Sequence, residues 1–100
     1  KETFDKEVLQ ENGRVVVDFY GDGCVPCAAL APHVHELSKK YSANLKFTAL
    51  NTTKARRLAI SQKVLGLPVI VVYENGVMVD SRVKDDATPE NVEAMIKQYA

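Results

Sequence analysis

The chain has 100 residues, and its 13 lysines and arginines balance 13 aspartates and glutamates. That length suits one domain spanning residues 1–100 with a modest core, and it leaves no room for a second catalytic domain or a large cofactor pocket. Zero net charge lacks the positive footprint of a nucleic-acid binder or a polybasic membrane anchor, and no apolar run approaches the roughly 18 residues of a membrane span.

Lys1 to Lys6 form an amphipathic opening that does not read as a secretory signal, which predicts a soluble, unprocessed protein. Thr3 is expected to cap a short helix with Phe4, Val8 and Leu9 on its apolar face, ending near Asn12-Gly13. Val15 to Tyr20 are β-branched or aromatic except for Asp18, the pattern of a central strand covered on both faces. A helix is predicted after Cys24, because Leu30, Val34, Leu37 and Tyr41 recur at helical spacing, with Pro32 kinking it. Leu45, Phe47 and Ala49 alternate with polar residues in a strand that ends at Asn51. A further helix is predicted with Thr52 or Thr53 as cap, an apolar side of Ala55, Leu58, Ala59 and Val64, and Gly66 as its stop. Val69 to Tyr73 and Val77 to Val83 flank Glu74-Asn75-Gly76 and read as a hairpin. Thr88 as cap and Pro89 in the first turn open a last helix with Val92, Met95, Ile96 and Tyr99 on one face. The order α, β, α, β, α, β, β, α predicts an α/β fold, a mixed sheet whose first two strands are parallel and whose hairpin is antiparallel.

Cys24 and Cys27 are the only cysteines. A disulfide between them encloses too short a loop to stabilise the fold much, so the pair reads as chemical rather than structural. Two thiols at this spacing, placed between a buried strand and a helix, point to thiol–disulfide exchange. His33 and His35 raise the alternative of a metal site. Residues two apart on a helix face different sides, which argues against both joining the two thiols around one zinc ion.

Five features in order resemble the thioredoxin family over nearly the whole chain. They are Val17-Asp18-Phe19-Tyr20, Cys24-Val25-Pro26-Cys27, Pro32, Leu67-Pro68-Val69 and Tyr73-Glu74-Asn75-Gly76. The resemblance implies a thioredoxin fold with about four strands in the central sheet flanked by helices, no cofactor and no metal. It implies a protein-disulfide reductase, with disulfide-containing client proteins and thioredoxin reductase as partners. The Gly23-Cys24-Val25-Pro26-Cys27 run is similar to that of thioredoxins in some amino-acid-fermenting anaerobes, which implies a selenoenzyme reductase system. A cytoplasmic monomer that touches neither nucleic acid nor membrane is expected.

Within that resemblance, Cys24 is the expected attacking thiolate and Cys27 the resolving thiol. A helix start lowers a cysteine pKa from about 8.5 into the range of roughly 3.5 to 7.5. Asp18, a carboxylate in an apolar strand, is expected to have a raised pKa and to serve Cys27 as general base, the alternative being an aspartate that points to solvent. Pro68 is expected to be cis opposite Cys24, the alternative being an ordinary proline at a strand start. Tyr20, Val25, Pro26, Leu67 and Pro68 are the expected substrate-binding residues. The departures from the family are specific: Gly23 replaces a tryptophan, Val25 a glycine, Ala28 and Ala49 lysines, and Lys84 a glycine near the active-site rim. The residues begin at what would be the family's first helix, so residues 45–51 are expected to form a sheet edge, whether the chain is a fragment of a longer protein or a four-stranded member that tolerates the edge. The rival functions are a glutathione-dependent oxidoreductase of glutaredoxin type and a non-catalytic binding subunit. The first lacks a Gly-Gly-Asp-type clamp after Pro68, and the second does not need the intact cysteine pair.

Overall fold

Two helical layers sandwich one sheet, because the central strand is apolar on both faces and needs cover on each. The computed structural model describes residues 4–100. Strands β1 (Arg14–Tyr20), β2 (Leu45–Asn51), β3 (Val69–Glu74) and β4 (Val77–Val83) lie in the order β2-β1-β3-β4. β2 runs parallel to β1, while β3 is antiparallel to both β1 and β4. Helices α1 (Val25–Lys40), α2 (Arg56–Ser61) and α3 (Pro89–Tyr99) complete the chain after a short π-helical segment, Asp5–Leu9.

The alternation along the strands separates two cores. Val15, Val17, Phe19, Val69, Val71 and Tyr73 meet Phe4, Val8 and the buried side of α2. Val16, Ile70 and Val72 meet Leu30, Val34 and Leu37 of α1 and Val92, Met95 and Ile96 of α3. Each such fully buried aliphatic side chain contributes about 1.5–3 kcal/mol of transfer free energy before entropy is counted. The turn between β3 and β4 is the two-residue Asn75-Gly76 pair, with φ of +52° and +83°, the backbone of the turn that matches strand twist. Gly76 has a second reason to lack a side chain, since a Cβ there would run into the Leu9 carbonyl oxygen.

Several helix ends depart from expectation. The predicted cap Thr3 lies outside the described residues. The first segment closes with an i to i+5 bond, Gln10 N–H to Asp5 O at 2.8 Å, so it is π-helical rather than α-helical. Neither Thr52 nor Thr53 caps α2. Those residues form a 3₁₀ turn capped by the Asn51 side chain, which accepts from Thr53 N–H at 3.0 Å, and Ala55 precedes α2 with no side-chain cap. α2 also stops before Gly66: Lys63 adopts φ +63°, and Val64 N–H returns to the Ala59 carbonyl at 2.9 Å. This is a Schellman ending, for which a lysine suffices although glycine is commoner. The α3 start agrees with the reading, as Thr88 Oγ1 accepts from Asn91 N–H at 3.1 Å.

Candidate active site

One end of the sheet gathers the two cysteines, Asp18 and the expected substrate-binding residues. Tyr20 is paired with Asn51 across β1 and β2, Phe19 with Val69 across β1 and β3, and Val69 with Val83 across β3 and β4. The loop bearing the cysteines, the polar residues after β2, the Leu67–Pro68 approach to β3 and the exit of β4 therefore converge there.

Cys24 and Cys27 are joined in a disulfide with Cα atoms 5.3 Å apart. Cys24 is the N-cap of α1: its carbonyl accepts from Ala28 N–H at 3.1 Å and its Sγ from Cys27 N–H at 3.2 Å. Proline is favourable in a first helical turn, where an N–H has no partner to lose, and Pro26 sits there. Burial separates the two sulfurs, since Cys27 is 5% exposed whereas Cys24 is half-buried. Val25, between them in sequence, is 77% exposed. Pro32 lies inside α1 and, lacking an N–H, leaves the Ala28 carbonyl without its helical donor.

Asp18 faces the same layer as Val16, toward α1, and lines an open cleft of about 850 Å³ together with Cys24, Cys27, Ala28, Ala31 and Ala49. Among the described residues no cation pairs with it. Burial without compensation pushes its carboxyl up from 3.8 to about 6. Asp18 does not point freely into solvent.

The Leu67–Pro68 peptide bond is cis, and Pro68 is buried. Leu67 packs against the cysteine loop closely enough that a Cβ on Gly21 would come within 2.8 Å of its Cδ1. Tyr20 is 37% exposed and lines the cleft with Val25. Sequence reasoning missed the clamp that holds this loop. Asp22 N–H donates to Thr53 Oγ1 at 2.9 Å, Thr52 Oγ1 donates to Tyr20 O at 2.9 Å, and Asn51 Nδ2 donates to Asp22 Oδ1 at 3.0 Å. A usable signal existed: β1 and β2 are parallel, so polar residues following each must be neighbours.

His33 and His35 diverge as their spacing requires. His35 lines the large cleft, and His33 a smaller one with Glu36, Lys40 and Glu93. No group of three potential ligands suited to a metal occurs among the described residues. Nor, among them, is any helix long and apolar enough to cross a membrane.

A family model described as Thioredoxin matches residues 1–98. The thioredoxin of Acetoanaerobium sticklandii is 56% identical over 99 residues, spanning 99% of this chain and 94% of that protein. That of Peptoclostridium acidaminophilum is 54% identical over 99 residues, spanning 99% and 90%. The solution structure of oxidised thioredoxin from Plasmodium falciparum superposes with a TM-score of 0.89 at 28% identity, over 100% of this chain and 92% of that one.

Proposed function

The chain belongs to the thioredoxin family and is a protein-disulfide reductase with a redox-active Cys24–Cys27 pair, and from that premise we propose how its residues divide the work. In the reduced protein the Cys24 thiolate attacks one sulfur of a client disulfide, forming a mixed disulfide and releasing the other client sulfur as a thiolate. Asp18 accepts the proton of the Cys27 thiol. The Cys27 thiolate then attacks Cys24 Sγ, closing the Cys24–Cys27 bond and releasing the second client thiolate, so two electrons have passed to the client. The single observation that carries this assignment is the asymmetry of the pair: Cys24 stands half-buried at a helix start, while Cys27 is buried and shares a cleft with an uncompensated carboxylate.

Val25, Pro26, Tyr20 and the Leu67–Pro68 segment form the face on which clients dock. Val25 and Tyr20 offer exposed apolar surface beside the reactive sulfur, the kind of surface that marks a binding site. The whole chain works as one domain and as a monomer, with thioredoxin reductase as electron donor. It acts in the cytoplasm, a reading supported by a cysteine inventory that holds the redox pair and no structural disulfide.

An insulin-disulfide turbidity assay tests this reading. Reduction driven by dithiothreitol alone is expected. A requirement for glutathione would instead indicate a glutaredoxin-type enzyme, and no reduction at all a binding subunit.

A further inference from the structure

Lys84 follows β4 by one residue, at the sheet end that carries the disulfide loop. Its N–H donates to the Pro68 carbonyl at 2.8 Å, which ties it to the cis-proline segment. Its φ is +53°, in the left-handed region where glycine is at ease and a side chain is disfavoured. The side chain placed there runs across Gly66, whose Cβ, if it had one, would collide with Lys84 Cε and lie 3.0 Å from Cδ. The aliphatic stem is thus laid along the backbone leading to Leu67. Among the described residues no carboxylate stands within ion-pair distance of the ammonium. Leu65, next to Gly66 in sequence, is 82% exposed, and the exposed carboxylates of Asp85 and Asp86 share the 3₁₀ turn that Lys84 opens without pairing with its ammonium. The carboxylate of Asp22 lies on the β2 side of the cleft and is held by Asn51.

We propose that Lys84 is a specificity-determining residue whose ammonium pairs with a carboxylate flanking the cystine of a client segment lying over Cys24 and the Leu67–Pro68 bond. Clients with acidic residues beside their disulfide are then reduced ahead of basic ones. This rests on the docking face assigned above.

The test uses the full chain and two synthetic disulfide peptides, identical except that glutamate or lysine flanks the cystine. The ratio of their reduction rates within one variant cancels differences in folded fraction or sulfur reactivity. At low ionic strength the unsubstituted chain is expected to reduce the glutamate peptide about two- to fivefold faster, the size of a surface ion pair, and high salt is expected to narrow the gap. Lys84→Gly, which suits the backbone, is expected to abolish the preference, and Lys84→Glu to reverse it. A ratio that Lys84→Glu leaves unchanged, or that salt does not move, overturns the inference. Val25→Asn separates the two levels, since it is expected to slow both peptides alike. If Val25→Asn alters neither rate, the docking face fails and the proposal with it. If Val25→Asn slows both but Lys84→Glu leaves the ratio intact, only the role of Lys84 is lost.

Discussion

The N–H of Cys27 donates to Cys24 Sγ at 3.2 Å, so one cysteine caps the helix whose first turn buries the other. In the reduced protein the same donor and the positive end of α1 would face a thiolate, an arrangement that favours the charged form of a cysteine. Neither Ala28 nor the hydrogen-bonded Asp22 adds a cation. Cys24 is therefore expected to take up essentially all iodoacetamide at neutral pH, with a rate that titrates below the free-thiol value of about 8.5. Peptide mapping by mass spectrometry checks it, and earlier modification of Cys27 would reverse the assigned roles.

Asp18 links stability to pH. Its carboxyl is raised from 3.8 to about 6 by burial, so between those values the folded chain keeps a proton that the unfolded chain releases. Stability from this group is complete below about pH 4 and is lost as pH rises through about 6, a total of about 3 kcal/mol. Other carboxylates act in the opposite sense, as Glu93 does, lowered first by its hydrogen bond from Lys40 and then by that from Tyr41. The difference between the unsubstituted chain and Asp18→Asn isolates the term. Denaturant melts are expected to show the variant more stable by about 1–3 kcal/mol at pH 8 and nearly equal at pH 4. Resolution of a mixed disulfide should slow in the same variant. Lower stability with unchanged kinetics would make Asp18 structural.

Where pattern and packing agree, the fold is legible from residues alone. β1 was visible because Val15 to Phe19 must be covered on both faces, and the hairpin because Asn75-Gly76 supplies two left-handed residues in sequence. Helix ends were less legible. Thr52 and Thr53 have cap-forming side chains, but a tertiary demand, the loop from Tyr20 to Asp22, takes both hydroxyls. Lys63 ends α2 because a single left-handed residue is cheap enough for a lysine when backbone bonds close around it, and no composition rule flags that. Cys24, Cys27 and Asp18 were legible as a site because a strand-to-helix turn brings them together locally. The Asn51 to Thr53 clamp depends on the register between strands distant in sequence.

Gly21 tests that clamp. A Cβ there would lie 2.8 Å from Leu67 Cδ1, 3.2 Å from Thr53 Oγ1 and 3.4 Å from Thr52 Oγ1, so three neighbours must shift together. Gly21→Ala is expected to cost about 1–3 kcal/mol, the range for overpacking a filled site. Reduction of a client disulfide should fall as well, because the displaced groups hold both the cysteine loop and the cis-proline segment. Urea melts and insulin reduction measure the two effects. A variant with unaltered midpoint and rate would show that the loop is loosely held.

β2 pairs with β1 on one side only among the described residues. Lys46, bridged to Glu7 at 3.2 Å and Glu11 at 3.3 Å, ties the strand to the first helical segment, but among the described residues no strand pairs with the outer backbone groups of β2. β1, by contrast, is bonded on both sides and buried on both faces. The outward amides of residues 45–51 are therefore expected to exchange with solvent deuterium at least on the order of tenfold faster than those of Val15 to Phe19, since local opening at an edge breaks fewer contacts than opening of a central strand. Exchange resolved strand by strand by NMR decides the matter. Equal protection of the two segments would mean that another element or a second copy of the chain covers the edge, and a dependence of that protection on protein concentration would single out the second copy.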